Sequence, residues 1–240
     1  MKSTVVYKWL INNHTTSCLL CLSYGVHSQL GICEACRADL PWLGSHCRQC
    51  ALPLPLTEGL CGQCMNSPPA FNQIVAPFLY GFPVDSLILA FKHHHQLTYG
   101  RMLALLLLDA VRFHYRERHQ ALPDCLIPMP LHGARLAKRG FNQAMELTRP
   151  LARRLTIPVE HGVLLRQRAT QTQQGLDARA RRRNLKDAFI CRKPERILGK
   201  HIALVEDVVT TGTTVREASR VLLDAGAASV SVWCVARTDA

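Results

Sequence analysis

The chain has 240 residues and a formal net charge of +12, and 48% of its residues are hydrophobic. This content excludes a wholly disordered chain and allows one medium α/β domain with a small appended module. The most apolar run, at residues 103–108, is too short to cross a bilayer, and no cleavage site of a secretory signal follows residues 1–14. We therefore expect a cytoplasmic protein without membrane insertion, whose thiols stay reduced.

The positive charge is concentrated in the middle of the chain. Residues 131–201 contain 17 Lys and Arg against 5 Asp and Glu, whereas the rest of the chain contains 12 of each sign. One segment therefore carries the whole excess, which indicates a polyanionic ligand at that segment rather than a generally basic surface.

The first elements along the chain are cysteine pairs, which predict a small zinc-ribbon module over residues 14–68. Each C-x2-C pair places two thiolates on one turn, and two pairs complete a tetrahedral site of four thiolates for Zn²⁺. The simplest pairing is sequential, and the spacing leaves an interleaved pairing open. So small a segment lacks a core, so we expect the zinc to be structural. The predicted ligands are Cys18, Cys21, Cys33, Cys36, Cys47, Cys50, Cys61 and Cys64.

Residues 71–240 predict a second domain in which strands alternate with helices, so the fold class is α/β with a parallel sheet flanked by helices. We expect a kink or a restart at Pro150, because proline lacks the helical N–H. The predicted strands are residues 71–82 (one or two strands), 125–129, 163–165, 201–206 and 229–235. The predicted helices are residues 84–94, about 99–119, 141–155 and 213–225.

The segment ALVEDVVTTGTT, residues 203–214, predicts a binding site for a sugar 5′-phosphate. A buried parallel strand leads to the carboxyl edge of the sheet, where ligands bind in open α/β folds. The following turn exposes backbone N–H groups, Gly212 permits a close approach, and the helix that starts there adds the positive end of its dipole. Glu206 and Asp207 can accept hydrogen bonds from ribose hydroxyls and offset positive charge at an anomeric carbon in the transition state.

Two basic segments are candidates for contacts with further phosphates. The loop after strand 125–129 also lies at the carboxyl edge and contains Arg135, Lys138 and Arg139, so it is a candidate diphosphate-binding loop. Residues 166–186 contain seven Arg and Lys with several Gln, which is typical of a hood that closes over a diphosphate, of a nucleic-acid contact, or of a solvated helix.

The segment 203–214 resembles the phosphoribosyl-diphosphate signature of type I phosphoribosyltransferases. That resemblance implies that Glu206 and Asp207 hold the ribose hydroxyls and that phosphoribosyl diphosphate is accompanied by Mg²⁺. It assigns the 5′-phosphate to Thr210, Thr211, Gly212, Thr213 and Thr214.

The order of the cysteine pairs, PMPLHGARLAKRGFNQA, RATQTQQGL, RRRNLKDAF and ALVEDVVTTGTT resembles the ComF/GntX family. The resemblance implies a type I phosphoribosyltransferase-like fold behind a zinc ribbon, and a role in DNA uptake or in the use of DNA as a nutrient. One hypothesis is an enzyme that transfers phosphoribosyl groups. The alternative is a non-catalytic module that binds single-stranded DNA or a helicase-like uptake protein and uses the pocket for nucleotide phosphates.

Overall fold

A computed structural model describes residues 17–26, 28–55, 59–94, 96–167 and 188–239 of the chain. The chain divides into two compact units, Met1–Leu40 and Pro41–Ala240. The division falls between the second and third cysteine pairs, so the last two pairs belong to the larger unit. The domain boundary near residue 70 stays a prediction.

The described part of the smaller unit is organised around its cysteines and one short helix, α1 (Glu34–Ala38). Cys33 is the N-cap of this helix, and its sulfur accepts a hydrogen bond from the backbone N–H of Cys36 at 3.5 Å. The cysteine side chains are therefore placed by a local turn rather than by a hydrophobic core.

The larger unit contains a parallel sheet, as the alternation of strands and helices predicts. The central strands are β6 (His201–Val209) and β7 (Ser229–Arg237), which pair along their length. On one side β3 (Cys125–Pro128) pairs with β6. On the other, β1 (Gln73–Val75) and β2 (Phe78–Leu79) both pair with β7 in one continuous register.

Helices cover both faces of this sheet. Two further strands, β4 (Leu164–Arg166) and β5 (Phe189–Cys191), form a separate antiparallel ribbon. Pro194–Arg196 is one 3₁₀ turn. The helices are α2 (Gly62–Asn66), α3 (Val84–His93), α4 (Leu97–Glu117), α5 (Gly133–Arg139), α6 (Gln143–Leu155) and α7 (Thr213–Asp224).

The two faces of the sheet contact different helices, because side chains alternate along a strand. Leu204 and Val232 belong to the buried cluster that includes residues of α7. Trp233 lies on the other face, where its ring stacks edge-on against Tyr115 of α4 with centroids 5.8 Å apart. The same alternation directs Glu206 to the α7 face and Asp207 to the α4 face.

Two local expectations differ from the structure. The segment after β3, expected to be a loop, contains the short helix α5, which begins at Gly133 with His132 as its N-cap. Of the kink or restart expected at Pro150, the restart is wrong, because helix α6 continues through Pro150 to Leu155. Among the described helices, none has both the length and the hydropathy needed to span a membrane.

Candidate functional site

The acid pair lies inside the last part of strand β6. The strand was expected to end at residue 206 but extends to Val209, because Val208 and Val209 are β-branched and pair with β7. Asp207 is buried at 7% exposure, and Glu206 is partly exposed. The two carboxylates therefore sit at the carboxyl edge, on opposite faces of one strand.

Asp207 is paired with Lys92 from helix α3. The Nζ of Lys92 lies 2.9 Å from Oδ1 of Asp207, and both side chains are largely covered. An ion pair so protected from water fixes the direction of the carboxylate. Lys92 is not among the site residues that the sequence analysis predicts. Its place in the last turn of a buried amphipathic helix was the one available signal.

Glu206 is a carboxyl group that holds its proton unusually tightly. Burial, and next the negative charge of Asp207, raise its pKa to about 8, although the positive charges of Lys92 and Arg166 act in the opposite direction. Its Oε1 accepts a hydrogen bond from the backbone N–H of Asp207 at 3.0 Å. Burial and the neighbouring charge thus both favour the protonated form of Glu206.

The turn after β6 has the geometry of an anion-binding loop. Gly212 is the N-cap of α7 in the left-handed conformation, with φ of +75°, and no side chain caps the helix. The hydroxyls of Thr211 and Thr213 are 2.8 Å apart. Because the first N–H groups of a helix have no partner within it, this uncapped terminus can accept an oxyanion. Thr210 is exposed and Thr214 is partly exposed. All five predicted loop residues, 210–214, lie in the turn and helix start that directly follow the strand with the acid pair.

The cations predicted after β3 lie on helix α5, near the same edge. Burial, followed by the positive charge of Arg135, lowers the pKa of Arg166, and the charge of Glu206 opposes this. These three groups are therefore close enough to interact. Arg139 donates a hydrogen bond to Oε1 of Gln143 at 3.0 Å, and its charge contributes to the lowered pKa of His93 after burial of that ring.

The RGFNQ segment has clear structural roles. Gly140 ends α5 in a left-handed conformation, with φ of +74°. Phe141 packs against Phe91, with ring centroids 5.6 Å apart. Asn142 caps α6 by accepting from Ala144 N at 2.9 Å and donates to the carbonyl of Met129 at 3.0 Å. These contacts fix the position of α5 relative to β3.

Arg166 is a site cation that sequence reasoning counted only as part of a basic segment. It lies in β4 opposite Phe189 of β5, and its guanidinium is 5.5 Å from the centre of that ring. The backbone N–H of Gln167 donates to the carbonyl of Ala188 at 2.9 Å, so the ribbon joins the two ends of the basic segment. The hood expected at residues 166–186 otherwise lies outside the described residues.

The cysteines form two clusters of four, and the pairing is sequential. Within each cluster the sulfur atoms all lie within 4.8 Å of one another. The Cys21–Cys33 and Cys50–Cys61 sulfur distances are 3.8 and 3.6 Å. A Zn–S bond of about 2.3 Å in a tetrahedron gives sulfur separations of about 3.8 Å, so both clusters fit Zn²⁺. The first cluster is Cys18, Cys21, Cys33 and Cys36, and the second is Cys47, Cys50, Cys61 and Cys64.

Two family models match this chain and agree with the fold. A double zinc ribbon domain matches residues 11–65, and a phosphoribosyl transferase domain matches residues 136–240. The first match and the sulfur geometry confirm that the cysteine clusters are structural zinc sites. The second, with the parallel sheet, confirms the phosphoribosyltransferase-like fold.

Several curated proteins resemble almost the whole chain. DNA utilization protein YhgH of Salmonella typhimurium is 39% identical over 92% of this chain and 96% of its own length. Competence protein F of Haemophilus influenzae is 34% identical over 95% of this chain and 100% of its own length. A purine phosphoribosyltransferase structure from Pyrococcus horikoshii is 16% identical, with a TM-score of 0.36, and the match covers 56% of this chain and 73% of that chain.

Proposed function

This chain belongs to the family of DNA utilization protein YhgH and competence protein F, and we propose that it acts in DNA uptake or utilisation by binding phosphoribosyl diphosphate at the carboxyl edge of its sheet. One observation supports this binding more than any other. A buried, lysine-paired carboxylate and a second carboxyl directly precede an uncapped helix N-terminus. This combination suits a ligand that has vicinal hydroxyls next to a phosphate.

In the proposed complex, the 5′-phosphate lies on the loop Thr210–Thr214. The first N–H groups of α7 and the threonine hydroxyls donate hydrogen bonds to its oxygens. The ribose hydroxyls donate to Asp207 and Glu206, and Lys92 orients the carboxylate of Asp207 for this role. The loop TTGTT contains no lysine, so the negative charge of a bound phosphate ester would be stabilised mainly by the backbone N–H dipoles of the helix start.

The diphosphate would lie near the cations of α5 and β4. Arg135 and Arg139 are the residues predicted for this contact, and Arg166 is a third candidate, because its charge and those of Arg135 and Glu206 interact. Mg²⁺ would be bound through the oxygens of the diphosphate, since it prefers oxygen ligands and retains several waters. Its contribution would be to neutralise the diphosphate charge.

Transfer of the phosphoribosyl group is the enzymatic extension of this proposal. Asp207, together with Glu206 once its proton has been released on binding, could offset positive charge that develops at the anomeric carbon. The excess of cations in residues 131–201 supports the alternative, a non-catalytic module that binds nucleotide phosphates or single-stranded DNA, or a partner protein. Release of pyrophosphate from phosphoribosyl diphosphate, measured with and without added nucleobases, separates the two functions.

The role of the acid pair can be tested with two small ligands that differ by one hydroxyl. We expect ribose 5-phosphate to bind about 10- to 100-fold more tightly than 2-deoxyribose 5-phosphate, because a lost hydrogen bond to a charged acceptor costs about 1.5–3 kcal/mol. Calorimetric titration of the zinc-loaded protein measures both affinities. Equal affinities would remove the ribose from the proposal and leave a general phosphate site.

A further inference from the structure

Arg237, the last residue of strand β7, is a buried cation with an unusual set of partners. Its side chain is 2% exposed. Its Nε donates to the carbonyl of Cys50 at 3.0 Å. Its Nη1 donates to the carbonyls of Val209, at 3.3 Å, Thr210, and Thr238, at 2.7 Å. A fifth acceptor is the hydroxyl Oγ1 of Thr238, at 3.4 Å, so four of the five acceptors are backbone carbonyls.

Three of these carbonyls, those of Cys50, Val209 and Thr210, belong to the two functional parts of the larger unit. Cys50 is a ligand in the second cysteine cluster. Val209 ends strand β6, and Thr210 begins the phosphate loop. The side chain of Arg237 is therefore a direct physical link between a zinc site and the start of the phosphate loop.

A second arginine ties the other side of the loop to the same cluster. Arg216, in the first turn of α7, donates from Nη1 to the carbonyl of Ser67 at 3.1 Å. Ser67 is the C-cap of α2, the helix that contains the zinc ligand Cys64. The guanidinium of Arg216 also lies 5.9 Å from the ring centre of Phe71. Both ends of the loop are thus attached to segments that the second cluster organises.

The buried charge of Arg237 needs compensation. Among residues 41–55, 59–94, 96–167 and 188–239, no carboxylate forms an ion pair with its guanidinium. Burying an unpaired cation is costly, and carbonyl dipoles offset only part of that cost. Four thiolates around Zn²⁺ carry a net negative charge, and Arg237 is hydrogen-bonded to one residue of that set. A zinc-loaded second cluster would therefore supply opposite charge beside Arg237.

We propose that Arg237 is a positioning residue that couples the second zinc centre to the phosphate loop. Zinc in the second cluster holds the carbonyl of Cys50 in place and balances the arginine, which in turn fixes Val209 and Thr210. Loss of this zinc loosens the loop and weakens binding of the phosphate ligand, whereas loss of the first zinc does not. The effect on ligand affinity rests on the proposed function, and the effect on the loop does not.

The loop is tested first without any ligand, by hydrogen exchange of the amides at residues 209–215 in the zinc-loaded protein. We expect Arg237→Gln to speed exchange there about tenfold, because charged hydrogen bonds to the loop are lost. The milder variant Arg216→Gln should act in the same direction if Arg237→Gln does not fold. The control is Arg220→Gln, since Arg220 pairs with Glu217 and Asp224 on the exposed face of α7. Unchanged exchange in both test variants, or an equal effect of Arg220→Gln, overturns the proposal.

The role of the metal is tested with matched cysteine variants. Cys61→Ser disables the second cluster and Cys33→Ser the first, and metal analysis verifies that each protein has lost one zinc. Only Cys61→Ser should speed exchange at residues 209–215, and it should add little to Arg237→Gln, because both changes break one linkage. Equal effects of the two serine variants, or full additivity with Arg237→Gln, contradict the coupling. If exchange responds as expected but wild-type protein binds neither ribose 5-phosphate nor phosphoribosyl diphosphate, the coupling stands and the proposed function fails.

Discussion

The Nζ of Lys92 lies 2.9 Å from Oδ1 of Asp207, so the side chain at the end of helix α3 is held against the strand that carries the acid pair. Both groups are mostly covered by protein, which distinguishes this ion pair from those on the surface of α7. A covered pair has a geometry that a ribose hydroxyl can use, because the carboxylate is already oriented before the ligand arrives.

Replacement of Lys92 by Met should destabilise the fold by about 3 kcal/mol, because it leaves a buried carboxylate without its partner. Adding Asp207→Asn to Lys92→Met should restore much of this loss, since the uncompensated charge is then gone. Urea unfolding of the two single variants and the double variant measures the effect. The control Arg220→Met breaks an exposed ion pair with Glu217 and should cost less than about 1 kcal/mol. A cost for Lys92→Met as small as that of the control would contradict a structural ion pair.

The raised pKa of Glu206 predicts a dependence of stability on pH. The folded protein binds this proton more tightly than the unfolded chain, whose glutamate has an ordinary pKa near 4.5. The contribution of protonated Glu206 to stability is therefore fully present below about pH 4.5. It is lost as the pH rises towards about 8, where the carboxyl ionises in the folded state as well. Glu206→Gln should remove this decline, so that the variant gains stability relative to wild type between pH 5 and 8. Chemical unfolding of both proteins across this pH interval measures the difference. If Glu206→Gln gains no stability relative to wild type, Glu206 ionises normally.

Ligand binding should release a proton from the same group. A ribose hydroxyl donates best to a carboxylate, so binding near pH 7.5 should ionise Glu206. Titrations of phosphoribosyl diphosphate in two buffers of different ionisation enthalpy count the protons released. Wild type should release more protons than Glu206→Gln, and the variant corrects for protons that come from the ligand itself. The same release from both proteins would mean that Glu206 does not accept a hydrogen bond from the ligand.

Gly212 should be needed for the phosphate loop because of its backbone conformation. Its φ is +75°, and an added Cβ would meet only Val209 Cγ1, at 4.0 Å, so Gly212→Ala is strained without a severe clash. Gly162 offers a matched control, with φ of +77° and open space around it. Both alanine variants should lose about 1 kcal/mol of stability, but only Gly212→Ala should weaken binding of ribose 5-phosphate. Equal affinities of the two variants would argue against binding at this loop.

The two zinc ions should leave the protein at different rates. All four ligands of the second cluster are buried, whereas Cys21 in the first cluster is exposed and Cys33 and Cys36 are partly exposed. A chelator should therefore remove one zinc quickly and the other only when the larger unit opens. Zinc release followed by a metal-sensitive dye, together with circular dichroism, tests this order. A single fast phase that releases both ions would contradict the burial of the second cluster.

The sheet and the loop could be predicted because their signals are local. Hydrophobic runs and a Gly212 turn before an amphipathic helix depend on neighbouring residues alone. The partners of the acid pair could not be predicted, because Lys92 and Arg166 approach Asp207 and Glu206 from distant parts of the chain. Their pairing is a property of tertiary packing.

The division of the chain into units shows the same limit. Four regularly spaced cysteine pairs predict one module, yet the second cluster shares a buried core with Phe71 and Val215 of the larger unit. Arg237 ends strand β7, whereas the predicted strand stops at residue 235. Only the folded structure shows that this charge is buried against the carbonyl of Cys50.

The most direct test of the proposed site is calorimetric titration of the zinc-loaded protein with phosphoribosyl diphosphate and Mg²⁺. Wild type is compared with the double variant Glu206→Gln/Asp207→Asn and with the control Glu217→Gln/Asp224→Asn, which removes two acids of α7 that pair with Arg220. We expect micromolar binding by wild type and the control, and affinity at least about a hundredfold weaker in the acid-pair variant. No binding by wild type, or the same affinity in all three proteins, would contradict a phosphoribosyl site at Glu206 and Asp207.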